Sequence, residues 1–251
     1  RTSFFLRVTR ATASRAMRTV RGKLSVYSGG PVLLLLGLMF SRVARHPELQ
    51  GLIHGHGHLF FSLGFLFNLV SLQPILVNQF ATDQAGLTLE FLAPVSDWDI
   101  VRGKTAGCAV MAGWAALLCL VAALIVAPGG SPLSWVAAFL GSVSVFLLLA
   151  PAAALLSVVF PKVADLGRIG TPGNPHAAAA LIGGFLTMVL AGPPASIMAI
   201  SSLLQGSPIV VLGLMAAWTA VAAGLSLPLL KAVSRALNKR RENLLLVAAG
   251  G

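Results

Sequence analysis

The sequence predicts an all-α polytopic membrane protein: six transmembrane helices, a basic amphipathic helix ahead of the first, and a surface helix between the second and third. Three observations carry this reading. Hydrophobic residues make up 57% of the chain and charged ones 10%, with a mean hydropathy of +0.88, whereas soluble domains hold about 25% charged residues. No Asp, Glu, Lys, Arg or His lies between Thr105 and Pro161 or between Ala177 and Leu230, and each interval is long enough for two spans of about 20 residues. The basic residues cluster beside the apolar stretches, so the net charge of +11 reflects span ends and gives no reason to invoke nucleic acid.

Residues 1–23 form the basic lead. Wound at about 100° per residue, Arg7, Arg10, Arg18 and Arg21 fall on one side and Phe5, Ala13, Ala16 and Val20 on the other. That split suits a helix at a headgroup surface, its arginines toward anionic lipid or a partner; a disordered basic leader is the alternative. The six-span domain covers residues 24–230. Its first span is expected over 24–41, weakened at its start by Gly29-Gly30-Pro31, and Arg42, Arg45, His46 and Glu48 follow as a polar loop. The second span covers 59–77, with Pro74 near its end. The third starts near Thr105 and stops at the Pro128-Gly129-Gly130 turn, and the fourth covers 133–160. Residues 161–176 are a turn-rich polar loop. The fifth span, 177–204, is expected to be interrupted by Pro193-Pro194. The sixth, 209–230, runs into a basic tail, 231–251, holding Lys231, Arg235, Lys239, Arg240 and Arg241. With both termini inside, sixteen of the 18 Lys and Arg lie on inner segments and only Arg42 and Arg45 outside, the distribution favoured in membranes. This orientation puts loops 78–104 and 161–176 in the cytoplasm.

Residues 78–104, NQFATDQAGLTLEFLAPVSDWDIVRGK, hold Asp83, Glu90, Asp97 and Asp99, four of the seven acidic residues. Ala81, Ala85, Leu89 and Leu92 recur at helical spacing, flanked by Leu87 and Phe91, with Asp83 and Glu90 opposite. A helix so divided lies along the interface, apolar face down. Pro94 ends it, because the residue before a proline is pushed out of helical geometry. Ser96 is placed to cap a new helix, with Asp97 and Asp99 at the positive end of its dipole and Ser96-x-x-Asp99 forming a capping box with Asp for the usual Glu. Arg102 and Lys104 mark the depth of entry, since each would cost about 2.5–3.5 kcal/mol at the bilayer centre, and Trp98 stands where an interfacial anchor belongs. A plain re-entry turn accounts for the same residues.

Other candidates are weaker. His54, His56 and His58 alternate, so only an extended segment would align all three on a metal; an ordinary loop outside the membrane is the simpler reading. Pro193-Pro194 removes backbone donors mid-span. That predicts a kink whose freed carbonyls meet neighbouring helices or a cavity, or else a substrate-facing hinge. Cys108 and Cys119 sit about three turns apart on one span and cannot pair. The chain has no H-E-x-x-H, no paired intramembrane aspartates and no serine with an evident histidine partner, which argues against an intramembrane enzyme. Spans three to six lack a carboxylate or histidine for proton coupling, although sodium coupling through carbonyls stays open.

Asn78-Gln79-Phe80, Asp83, Gly86-Leu87, Leu92, Pro94-Val95-Ser96 and Gly103-Lys104 resemble the cytoplasmic loop of ABC-2 type transporter permeases, in which a D-x-x-G-L…P-[VI]-S…G-K pattern sits between the second and third spans. Phe160-Pro161-Lys162, Asp165, Gly170 and Asn174 resemble the fourth-to-fifth connection of large bacterial exporters in that group. The resemblance implies a permease subunit of an ATP-driven exporter in a bacterial cytoplasmic membrane, both termini cytoplasmic. The non-Met start would suit the C-terminal half of a larger permease. This chain has no phosphate-cradling G-x-x-x-x-G-K-[ST] loop, so ATP and Mg would be held by a separate ATPase. A second permease half or a second copy would complete the pathway. Asp83, Gly86, Leu87, Glu90, Pro94, Ser96, Asp97, Trp98, Asp99, Arg102 and Lys104 would form the coupling helix and its hinge, with charge at Asp83 and Glu90 facing the ATPase. A secondary transporter, or an accessory membrane protein without ATP coupling, is the alternative.

Overall fold

The computed structural model describes residues 4–43, 55–81, 85–162, 174–203 and 206–248. Among these residues every regular element is a helix: α1 (Phe4–Arg18), α2 (Val20–Tyr27), α3 (Gly29–Val43), α4 (Gly57–Leu76), α5 (Ala85–Leu92), α6 (Asp97–Val126), α7 (Pro132–Val159), α8 (Ala177–Leu203), α9 (Pro208–Lys239) and α10 (Arg241–Ala248). Five of them, α4 and α6–α9, are long and apolar enough to cross a membrane. The sixth candidate span is a bent pair, α2 and the first part of α3, meeting at 42°. At about 1.5 Å per residue the 30 residues of α6 and the 32 of α9 exceed a hydrocarbon layer of about 30 Å by several turns. The polar start of α6 and the basic end of α9 therefore project from the apolar zone.

Helix α7 is the hub: α9 packs along it most extensively, with α8 and α4 beside it, while α6 collects α1, α3 and α4. Small residues permit the closest approaches. Gly103 and Gly107 of α6 form a G-x-x-x-G groove, where an added Cβ would stand 2.7 Å from Val8 and 2.6 Å from Thr12 of α1. The apolar stripe of α1 thus lies on α6, and Arg7, Arg10 and Arg18 point outward as expected. The expected continuous helix ends at Thr19, whose hydroxyl accepts from Gly22 N at 3.0 Å and caps α2. This cap resets the helical phase. Val20 is exposed, and Arg21 turns inward to donate to Asn174 Oδ1 at 2.8 Å.

Polar groups inside the bundle join helices in pairs. Asn68 of α4 donates to Cys119 Sγ of α6 at 2.9 Å, Gln73 donates to Thr187 Oγ1 of α8 at 2.8 Å, and Ser25 of α2 donates to Ser71 O at 2.7 Å. In an apolar surrounding such bonds fix which helix faces which, because lipid offers no alternative partner. The expected interruption at Pro193-Pro194 is absent: α8 runs unbroken through both. In an apolar setting the carbonyls freed by the two missing donors must be re-satisfied by neighbouring groups or by local adjustment of the helix. Of the two prolines, Pro194 also packs inward, its Cβ 3.1 Å from where a side chain at Gly141 would begin. At the far end, Gly129 and Gly130 turn the chain with φ of 109° and 91°, values that favour glycine.

Gly29 lies so close to α4 that a Cβ there would sit 1.8 Å from Asn68 Nδ2, whereas Gly113 faces open space. We expect Gly29→Val to lower stability by about 1–3 kcal/mol through overpacking, and Gly113→Ala to raise it by about 0.5–1 kcal/mol through helix propensity. Thermal unfolding in detergent measures both, and equal shifts for the two would contradict the packing described.

Candidate functional site

The two polar loops predicted to share one side of the membrane meet in space. Asn78, fully buried, donates from Nδ2 to Lys162 O at 2.7 Å and accepts from Lys162 N at 3.4 Å. One amide thereby pins the end of α4 to the start of the second loop. Phe80 N donates to the buried Ser157 hydroxyl of α7 at 3.1 Å, so the chain leaves α4 already fastened to the hub.

Helix α5 follows from Ala85. Pro94 and its neighbours separate α5 from α6, as the proline predicts. Ser96 caps α6: its Oγ accepts from Asp99 N at 3.2 Å and donates to Asp99 Oδ2 at 2.7 Å. Asp97 and Asp99 occupy the first turn of α6, where carboxylates offset the helix dipole. Asp97 also accepts from Asn238 at 2.9 Å, tying the new helix to the end of α9. Arg102 stacks over Phe5 at 5.2 Å and over Trp98 at 5.5 Å, so Trp98 serves the α1–α6 seam.

Lys104 departs from the expected picture. Its side chain has 0% exposure, and Nζ lies 3.0 Å from Glu90 Oε2 and 3.4 Å from Oε1. Phe80 covers it, with the ring centroid 5.8 Å from Nζ. Lys104 therefore does not reach outward to headgroups, and Glu90 does not lie on an outward face. The side chains of α5 divide as the periodicity reads, with Leu89 and Leu92 on one face and Glu90 on the other, but it is the Glu90 side that meets the protein. Leu87, Phe91 and Glu90 turn into the bundle, while Leu89 and Leu92 are 70% and 77% exposed. Around them Leu87, Phe91, Ile100, Val158 and Leu237 form an apolar core separate from that of the spans. The physical reason is the lysine: a buried ammonium needs a carboxylate at hydrogen-bonding distance, and turning Glu90 toward it carries the rest of α5 round.

Two further groups close the site. Arg241, opening α10, donates to Phe91 O and lies 4.7 Å over the Phe91 ring. Arg15 of α1 lies against Gly86, where a Cβ would come within 3.1 Å of its guanidinium, and its charge reaches Glu90. Burial pushes the Glu90 carboxyl up to about 7, against the opposing pull of Arg15. Asp83, Asp165, Gly170 and His54 lie outside the described residues. His56 and His58 are 6.0 Å apart at the opposite end of α4, and among the described residues no group of three or more His, Cys, Asp or Glu is placed to hold a metal.

Sequence reasoning missed the Glu90–Lys104 pair, the Asn78 pin and the inward face of α5. The available signal was Lys104 itself, the last charge before the long uncharged stretch and the one least able to lack a partner. The chain matches no protein-family model, no curated protein and no solved structure.

Removing one partner of a buried pair strands the other, at a cost of about 3–5 kcal/mol, whereas replacing both is close to neutral. Lys104→Met should therefore lower the melting temperature sharply, and adding Glu90→Gln should restore most of the loss. Additive losses in the double variant would refute the pairing.

Proposed function

We propose that this chain is the transmembrane permease subunit of an ATP-driven exporter of the ABC-2 type. It would work with a separate ATPase that holds ATP and Mg, either as a homodimer or beside a second permease half. The observation that supports this reading best is the build of α5. This eight-residue helix stands outside the spans and is bound to α6 by an ion pair and to α10 through Arg241. It presents Leu89 and Leu92 outward. A soluble motor needs such a part: an apolar ridge to grip and a stiff route onward. Force on the ridge passes through Glu90–Lys104 into α6 and through the Phe91 core into α7 and α9. The Pro94–Ser96 turn lets α5 move as a lever. In this arrangement Leu89, Leu92 and Pro94, rather than Glu90, meet the ATPase, and Gly86, Leu87, Asp97, Trp98, Asp99, Arg102 and Lys104 hold the lever to the bundle. The apolar helices, five or six of them long enough to span, would line the path.

The buried Glu90–Lys104 pair favours a second reading, a proton-coupled carrier without ATP, because a carboxyl poised near neutral pH is suited to proton transfer. Purification in mild detergent distinguishes the two. The exporter reading expects a soluble P-loop ATPase to co-purify with Mg-dependent ATP hydrolysis. It expects Leu89→Asp with Leu92→Asp to weaken the association roughly tenfold or more at an unchanged melting temperature. Transport by ATPase-free vesicles under a proton gradient, lost in Glu90→Gln, would replace it with the carrier.

A further inference from the structure

At the end of the bundle opposite α5, a cavity of about 660 Å³ lies between α4, α7, α8 and α9. Its volume falls within the range of about 300–1,000 Å³ typical of small-molecule sites. Phe65 and Leu69 of α4, Met198 of α8 and Met215 of α9 supply apolar walls, and methionine adapts to irregular hydrocarbon shapes. From His58 to Leu69 the lining runs along three turns of α4, about 16 Å at 1.5 Å per residue, so the space is elongated.

Four polar side chains stand where α4 and α7 begin, His56, His58, Ser62 and Ser134, while Ser142 further along α7 and Ser201 of α8 also line the space. The Nδ1 atoms of His56 and His58 are both buried and have no hydrogen-bond partner. Ser62 donates its proton to His58 O at 3.0 Å, which leaves its lone pairs as acceptors. Among the described residues no Asp, Glu, Lys or Arg lines the cavity. An ammonium entering this space would meet no carboxylate among them, a costly burial. An oxyanion would meet two imidazoles, each able to present an N–H.

We propose that this cavity binds a small acidic amphiphile, its hydrocarbon part between Phe65, Leu69, Met198 and Met215 and its oxyanionic head on His56 and His58. Binding does not depend on the export reading; that the bound molecule is the cargo rests on it. Pro194 also lines the cavity, so the proline expected from sequence as a hinge here shapes a binding wall.

Photolabelling of the purified chain in nanodiscs, with no ATPase present, tests binding alone, so its outcome is independent of the co-purification result. The probe is an aliphatic carboxylic acid with a mid-chain diazirine, compared with the amine of the same chain. We expect saturable labelling at Leu69, Met198 and Met215, about tenfold stronger for the acid than for the amine. Ala195→Phe, at an exposed lining position, should abolish labelling at an unchanged melting temperature. His56→Phe with His58→Phe should make acid and amine equivalent. Labelling that never saturates, is spread over outward positions such as Leu117 and Val121, or survives Ala195→Phe would overturn the site. Equal labelling of wild type by acid and amine would overturn the assignment of the head.

Discussion

A lysine with no exposed side-chain surface is the constraint on which one end of this molecule depends. Lys104 sits early in α6, where the helix leaves its polar start for a long uncharged stretch. Its ammonium must be met at close range, and the carboxylate that meets it belongs to a separate helix on the other side of a turn. That requirement explains why the chain doubles back at Pro94, why Ser96 stops and restarts the helix, and why Phe80 closes over the pair. It also explains the inward set of α5, since Glu90 and Phe91 are adjacent and enter together. Arg15 and Arg241 then attach α1 and α10 to the same small helix. Two elements distant in sequence, α1 and α10, are thereby joined to the α5–α6 pair.

Within the spans the same logic works with neutral groups. Apolar side chains hold helices in lipid only weakly, because hydrocarbon tails satisfy them equally well. Asn68, Gln73 and Asn78 lie along α4 and its end, and each bonds to a different neighbour: α6, α8 and the second loop. Helix α4 therefore orients the bundle although its apolar surface differs little from that of the other spans. Glycines at 103 and 107 play the complementary part, letting α1 close on α6 without a side chain between.

Much of this was legible in the sequence. The charge-free intervals marked four spans, the Pro128-Gly129-Gly130 turn separated two of them, and the weak start at Gly29-Gly30-Pro31 corresponds to a bend just before Gly29. Pro94 and Ser96 act through neighbours within a few residues, and such local rules transfer well. For α5 the division into a Leu89–Leu92 face and a Glu90 face transferred, but not which of the two meets the protein. Only a partner fourteen positions away decides that. The Thr19 cap was equally hidden, because a single hydroxyl shifted the phase of everything after it. At Pro193-Pro194 the local rule was overridden: a sequence that breaks a helix in water need not break one among apolar neighbours.

The bend between α2 and α3 bears on how the chain is built. Ser25 on Ser71 and Gly29 against Asn68 tie the bend to α4, and Gly30 beside Leu118 ties it to α6, both of them later in the chain. A nascent chain that has not yet reached residue 71 lacks these contacts, so the bent segment cannot take its final course until a later one arrives. An angle near residue 28 is set by residues translated after it.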